Sequence, residues 1–134
     1  MKNSYSICII EDDMVSQFAS RYCLEQFARE TFVISTFDSA EAALDAFGKN
    51  ITEGVLLPKL IFLDLGLDEM DGWGFIEALQ ELVGARTMPE IYILSAFGKA
   101  KDRELAQKHP NVLGYIDKPL TRNRLEKIFE TGQV

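Results

Sequence analysis

Basic residues are in deficit: 14 Lys and Arg stand against 21 Asp and Glu, a formal net charge of −7 over 134 residues. Without a basic stripe to displace counterions, the composition argues against direct nucleic-acid binding. Long apolar runs are missing as well. None approaches the roughly 20 residues that a membrane span needs. No charged-then-apolar leader precedes the first strand-like run, so a cytoplasmic address is expected. Cysteine occurs only at Cys8, inside an apolar run, and at Cys23, on the apolar side of a helical pattern. Free cysteines in such settings act as small hydrophobes. Internal repeats, low-complexity tracts and interdomain linkers are absent too. What is present, 47% hydrophobic and 26% charged, is ordinary globular composition, enough for one domain with a buried core.

Strand-like runs recur at Ile7 to Ile10, Phe32 to Phe37, Leu60 to Leu63, Ile91 to Leu94 and Val112 to Ile116, with helical patterns between and after them. Val15, Phe18, Ala19 and Tyr22 are read as the core stripe of the first helix, Ala40, Ala43, Leu44 and Phe47 of the second, and Ile76, Leu79 and Val83 of the third. The fourth, near Lys99 to Lys108, is mostly polar and expected to pack most loosely. The fifth is expected from about Pro119 to Thr131, with Leu125, Ile128 and Phe129 on its inner side. Asp38 and Glu41 read as a capping pair for the second helix. The connection Gly48 to Lys59, with apolar Val55-Leu56-Leu57-Pro58, is expected to cap the sheet edge.

Such alternation predicts an α/β fold: a five-stranded parallel sheet, doubly wound and flavodoxin-like, with five helices and strand order 2-1-3-4-5. Ligands of open parallel sheets bind at the carboxyl ends of the strands, at the switch point between the first and third. Those strands end in Glu11-Asp12-Asp13 and in Asp64. Clustered carboxylates repel one another unless a hard cation neutralises them, and magnesium is the candidate. Asp13 is assigned instead to capping the first helix. Ser95 and Lys118 end the fourth and fifth strands, so all these groups converge on one edge.

An acidic pair, a single Asp, a hydroxyl and a lysine at successive strand ends resemble the receiver domain of two-component response regulators, like the single-domain chemotaxis regulator. Asp64-Leu65-Gly66-Leu67-Asp68-Glu69-Met70-Asp71-Gly72 is similar to the family's Asp-Leu-x-Met-Pro-x-Met-Asp-Gly loop, and Leu94-Ser95-Ala96 and Lys118-Pro119 match its other signatures. The resemblance covers the whole chain, 1–134, as a single receiver domain with no output domain. It implies that Asp64 is the phosphoacceptor, its carboxylate attacking the phosphorus of a phosphohistidine on a histidine kinase or histidine phosphotransfer protein. It further implies Mg2+ held by Glu11, Asp12, Asp64 and the backbone carbonyl of Gly66, with Asp12 a direct ligand and Glu11 direct or through water. Lys118 and Ser95 would contact the phosphoryl oxygens, and Ser95 with Tyr115 would form the switch toward an unknown downstream protein.

Asp68 and Leu67 depart from the family's usual Pro and Met, and Ser95 keeps the hydroxyl of the commoner Thr. Gly66 and Phe97 stand where the family controls water access to the acyl phosphate. His109 is expected to be solvated and no phosphodonor, and Trp73 to be a packing residue. Two other functions compete. A phosphorylation-independent interaction module would keep the fold but is usually marked by the loss of a site residue, and all are present here. A magnesium-dependent phosphohydrolase of the haloacid dehalogenase type needs a second Asp two residues after the nucleophile, where this chain has Gly66.

Overall fold

The computed structural model describes residues 4–27, 31–96 and 98–130. The apolar runs form β1 (Ser4–Ile10), β2 (Thr31–Phe37), β3 (Leu60–Asp64), β4 (Glu90–Ser95) and β5 (Val112–Asp117). They alternate with α1 (Met14–Phe27), α2 (Ala40–Glu53), α3 (Gly72–Val83), α4 (Ala100–Lys108) and α5 (Arg122–Glu130). Every strand pair is parallel and the order is β2-β1-β3-β4-β5, as the alternation predicts. β1 and β3 are neighbours with Ile10 opposite Leu63. Glu11 and Asp64 therefore leave the sheet at the same edge.

Period-two burial splits the core into two layers. Cys8, Ile10, Ile61, Leu63, Ile91 and Ile93 face α2 and α3, where Phe47, Phe75 and Leu79 meet them. Ile7, Ile9, Leu60 and Phe62 face α1 and α5, against Leu24, Leu125 and Phe129. Each fully buried aliphatic or aromatic side chain contributes about 2 kcal/mol, and the sum holds the strand ends in register. Cys8 and Cys23 are free thiols, and burial pushes the Cys8 thiol up to about 12, so it behaves as a small hydrophobe. Among the described residues, no helix is long and apolar enough to cross a membrane.

Four local expectations are corrected. On α1 the stripe Val15, Phe18, Ala19 and Tyr22 faces solvent, with Val15 78% and Phe18 71% exposed, while Ser20, Leu24 and Phe27 face the core. The helix has apolar residues on two faces, and the aromatic cluster of Phe27, Phe32 and Phe129, with Phe27 and Phe129 rings 5.7 Å apart, selects the second. Helix α2 runs on to Glu53, where left-handed Gly54 and the Val55 amide close it on the carbonyls of Ile51 and Asn50. That leaves a short connection in which Leu56 is 89% exposed, so it caps no edge and only Leu57 reaches the core. The cap of α2 is Ser39, which accepts from the Ala42 amide at 3.0 Å, and not Asp38. Helix α5 begins at Arg122 because Thr121 caps it through the Arg124 amide and Leu120 is already buried in the core.

Candidate functional site

β1 hands over to α1 through Glu11-Asp12-Asp13, and the turn is fixed from both sides. Asp13 caps α1 as expected, its Oδ2 accepting from the Ser16 amide at 3.2 Å. Glu11 points inward and is only 2% exposed. Its Oε2 accepts from the Asp13 amide at 3.2 Å and its Oε1 from the Ser16 hydroxyl at 2.7 Å and from Lys118 Nζ. The Gln17 side-chain amide holds the Glu11 carbonyl at 3.0 Å. Sequence reasoning singled out neither Ser16 nor Gln17. The available signal was a hydroxyl and an amide in the first helical turn after a strand-end acid, where their backbone-capping role was already taken by Asp13.

On β3, Asp64 accepts from the Gly66 amide through Oδ1 at 3.1 Å, and its Oδ2 stands 3.4 Å from Lys118 Nζ. The loop beyond folds back on itself: the Gly72 amide donates to the Leu65 carbonyl at 3.2 Å, and Asp71 caps α3 through the Gly74 amide at 2.9 Å. A Cβ on Gly72 would lie 2.9 Å from Leu65 Cα and 3.1 Å from the Asp64 carbonyl oxygen. Only glycine allows that approach. Oxygens of Glu11, Asp12 and Asp64 lie within 4.8 Å of one another, an all-oxygen donor set of the kind hard cations take.

Ser95 is buried at the end of β4, and its carbonyl accepts from the Lys118 amide at 2.9 Å. That bond ties the hydroxyl-bearing and lysine-bearing strand ends together; the Lys118–Pro119 peptide is cis. Tyr115 lies on β5 with the Arg103 guanidinium 4.7 Å above its ring, and Arg103 also pairs with Asp117 at 2.7 Å. The Tyr115 hydroxyl is buried without a hydrogen-bond partner among the described residues. Trp73 packs against the core and donates to Asp102 on α4 at 3.0 Å. His109 is half-buried, its Nδ1 accepting from the Asn111 amide at 3.3 Å. Phe97 lies outside the described residues, and Gly66 is exposed beside Asp64.

The charges are strained where they meet. Burial, and then the neighbouring Asp64, hold the Glu11 carboxyl above the ordinary carboxylate range, against the pull of Lys118 and Ser16. Burial, and then Asp68 and Asp64, raise Asp12 in the same direction. Burial draws Lys118 down, but its bond to Glu11 and the charges of Asp64 and Glu11 outweigh that and hold the ammonium above its ordinary value. The edge is an excess of negative charge with one ammonium serving two carboxylates.

Residues 7–130 match the response regulator receiver domain. An uncharacterized 14.6 kDa protein from the sodA1 3' region of Leptolyngbya boryana is 29% identical over 124 residues, 92% of this chain and 86% of that one. Among solved structures, a two-component response regulator from Legionella pneumophila is 28% identical with a TM-score of 0.77, covering 95% of this chain and 96% of its own. A two component response regulator from Cytophaga hutchinsonii, 22% identical, superposes with a TM-score of 0.82 over 98% and 97% of the two chains. The CheX-CheY-BeF3-Mg+2 complex from Borrelia burgdorferi, 20% identical, gives 0.75 over 97% and 90%. With the family's domain matched over residues 7–130 of this chain and the parallel 2-1-3-4-5 sheet in place, the chain belongs to the response regulator receiver domain family.

Proposed function

We propose that this receiver domain takes a phosphoryl group onto Asp64 and signals through a partner protein. The observation that carries the reading is the convergence of Asp64, Glu11 and Asp12 around an ammonium, Lys118, that is within reach of two of them. The donor is a phosphohistidine of a histidine kinase or histidine phosphotransfer protein. An Asp64 carboxylate oxygen attacks phosphorus, the P–N bond breaks, and the imidazole leaves with the electron pair and takes up a proton. Charge then spreads over three equatorial oxygens, so positioning and neutralisation are the protein's task.

Asp12, Asp64 and the Gly66 carbonyl are the candidate direct Mg2+ ligands, and Glu11, both of whose oxygens already accept protein hydrogen bonds, fits a contact through water. Bound there, Mg2+ supplies positive charge to the phosphoryl oxygens. The solved Borrelia burgdorferi complex of the same fold, with BeF3 and Mg2+, supports this choice of ion. Lys118 neutralises a second side and Ser95 donates its hydroxyl to a phosphoryl oxygen. Tyr115 then settles against the displaced β4 end, and the change is read on the face made by α4, β5 and α5. The exposed strip of Met14, Val15, Phe18 and Tyr22, which starts beside Asp12 and Asp13, supports docking of the phosphodonor protein there.

The test is intact-protein mass spectrometry after incubation with acetyl phosphate and Mg2+. A phosphate-sized gain that disappears in Asp64→Asn and without metal supports the reading. No gain in a folded, Mg2+-binding chain would favour the phosphorylation-independent module.

A further inference from the structure

We infer that Ser16 is a positioning residue of this site, the hydroxyl that keeps the Glu11 carboxylate in place when Lys118 turns from it to the phosphoryl group; this rests on the reading of Asp64 as phosphoacceptor. In the first turn of a helix a serine side chain ordinarily competes for backbone amides. Asp13 has taken that role, leaving the Ser16 hydroxyl to donate to Glu11 Oε1 at 2.7 Å, the length of a charge-assisted bond. Gln17 holds the Glu11 carbonyl, and the Glu11 amide donates to the Phe37 carbonyl at 3.0 Å. The residue is thus fixed at its backbone and at both carboxylate oxygens.

Lys118 Nζ is shared between Glu11 Oε1 and Asp64 Oδ2. Once Asp64 carries a phosphoryl group, its oxygens draw the ammonium away from Glu11. A carboxylate that is 2% exposed has no bulk solvent to replace the lost donor, and a water shared with the cation is already committed to it. With nothing else on Oε1 it would hold the lysine back or rotate out of place. The Ser16 hydroxyl is the donor that remains on Oε1, as the Asp13 amide remains on Oε2. The same bond sets Glu11 relative to Asp12 and Asp64, in the manner of outer-shell partners that orient metal-site ligands.

The experiment compares Ser16→Ala and Ser16→Thr with the parent chain. Calorimetry gives Mg2+ affinity, and mass spectrometry gives the rate of phosphorylation by acetyl phosphate at saturating Mg2+. Alanine favours helix and leaves the Asp13 cap, which uses the backbone amide of residue 16, so Ser16→Ala stays folded, with a thermal midpoint a few degrees below the parent's for the bond to Glu11 that it loses. The expected result is a loss of about 10-fold in Mg2+ affinity and in phosphorylation rate for Ser16→Ala, with both restored by Ser16→Thr. Parental affinity and rate in Ser16→Ala, whatever its thermal midpoint, overturn the inference. A parent chain that binds Mg2+ yet takes up no phosphate overturns the phosphoacceptor reading instead.

Discussion

Replacing Asp12 by asparagine separates the cost of the acidic edge from its use. The Asp12 side chain is half-buried, and its carboxylate oxygen lies within 4.8 Å of oxygens on Glu11 and Asp64. Two unit charges at that distance repel by about 0.9 kcal/mol in water and about 3.5 kcal/mol at an effective dielectric of ~20. Asp12 is open enough to solvent that the lower figure applies to each neighbour, and Lys118 offsets part of it. The net direction is unfavourable, since burial and the charges of Asp68 and Asp64 raise the Asp12 carboxyl above its ordinary value. Asn keeps the volume and removes the charge, so metal-free Asp12→Asn is expected to be more stable by about 1 kcal/mol, or about 4 °C in thermal midpoint. With Mg2+ at 100 times its Kd the parent gains about 2.7 kcal/mol, while the variant, short of one ligand, gains little. The two stability orders therefore cross. Urea unfolding in EDTA and in Mg2+ measures both arms. A variant less stable than the parent in EDTA, or one stabilised by Mg2+ as much as the parent, refutes the assignment of Asp12 to a charge-strained cation site.

Because Glu11 and Asp12 are both raised in the folded state, their contribution to metal-free stability is fully present below the unfolded carboxylate values and is lost as pH rises through the raised ones. Urea unfolding in EDTA across that window should show the parent losing stability with pH relative to Glu11→Gln, and a relative gain would contradict the shifts. Gly72→Ala forces Leu65 and the Asp64 carbonyl apart, so a loss of about 2 kcal/mol or more and a slowed acetyl phosphate reaction are expected. Parental values for both would mean that the loop tolerates the shift. Phe18→Ser with Tyr22→Ser removes exposed apolar surface, so stability should stay within about 0.5 kcal/mol and acetyl phosphate labelling should be unchanged. Phosphotransfer from a phosphohistidine protein should slow, and an unchanged rate would move the donor off this face. Tyr115→Phe removes a buried hydroxyl that has no partner among the described residues and should raise stability by about 1 kcal/mol in thermal unfolding.

The sheet was legible because each strand is a short apolar run followed by a polar break, and strand order follows once alternation fixes parallel pairing. The site residues were legible for the same reason: Glu11, Asp12, Asp64, Ser95 and Lys118 each stand at a strand end, and a parallel sheet brings all its carboxyl ends to one edge. What strand-end logic could not see is the support behind them. Ser16 and Gln17 reach Glu11 from a helix, and Trp73 reaches Asp102 across α3 and α4, through side-chain directions that no apolar periodicity encodes. The cap of α2 falls one residue beyond the expected Asp38, since Asp38 and Ser39 are both good caps and only backbone geometry chooses between them.

The misassigned face of α1 follows from how periodicity works. Val15, Phe18, Ala19 and Tyr22 recur at helical spacing, and so do Ser20, Leu24 and Phe27. Hydrophobicity alone favours the first set, which is the larger and the more apolar. The core chooses the second because Phe27 packs with Phe32 and Phe129, and the same rotation lets Asp13 cap α1, turns Ser16 and Gln17 onto Glu11 and points Val15 and Phe18 outward. Residues 16, 20, 24 and 27 then form one continuous line, polar where it meets the acidic edge and apolar where it meets Phe32 and Phe129. The rotation that aims Ser16 at Glu11 is thus the rotation that exposes Phe18 and Tyr22, so a helix seated to serve the site also presents an apolar strip beside it.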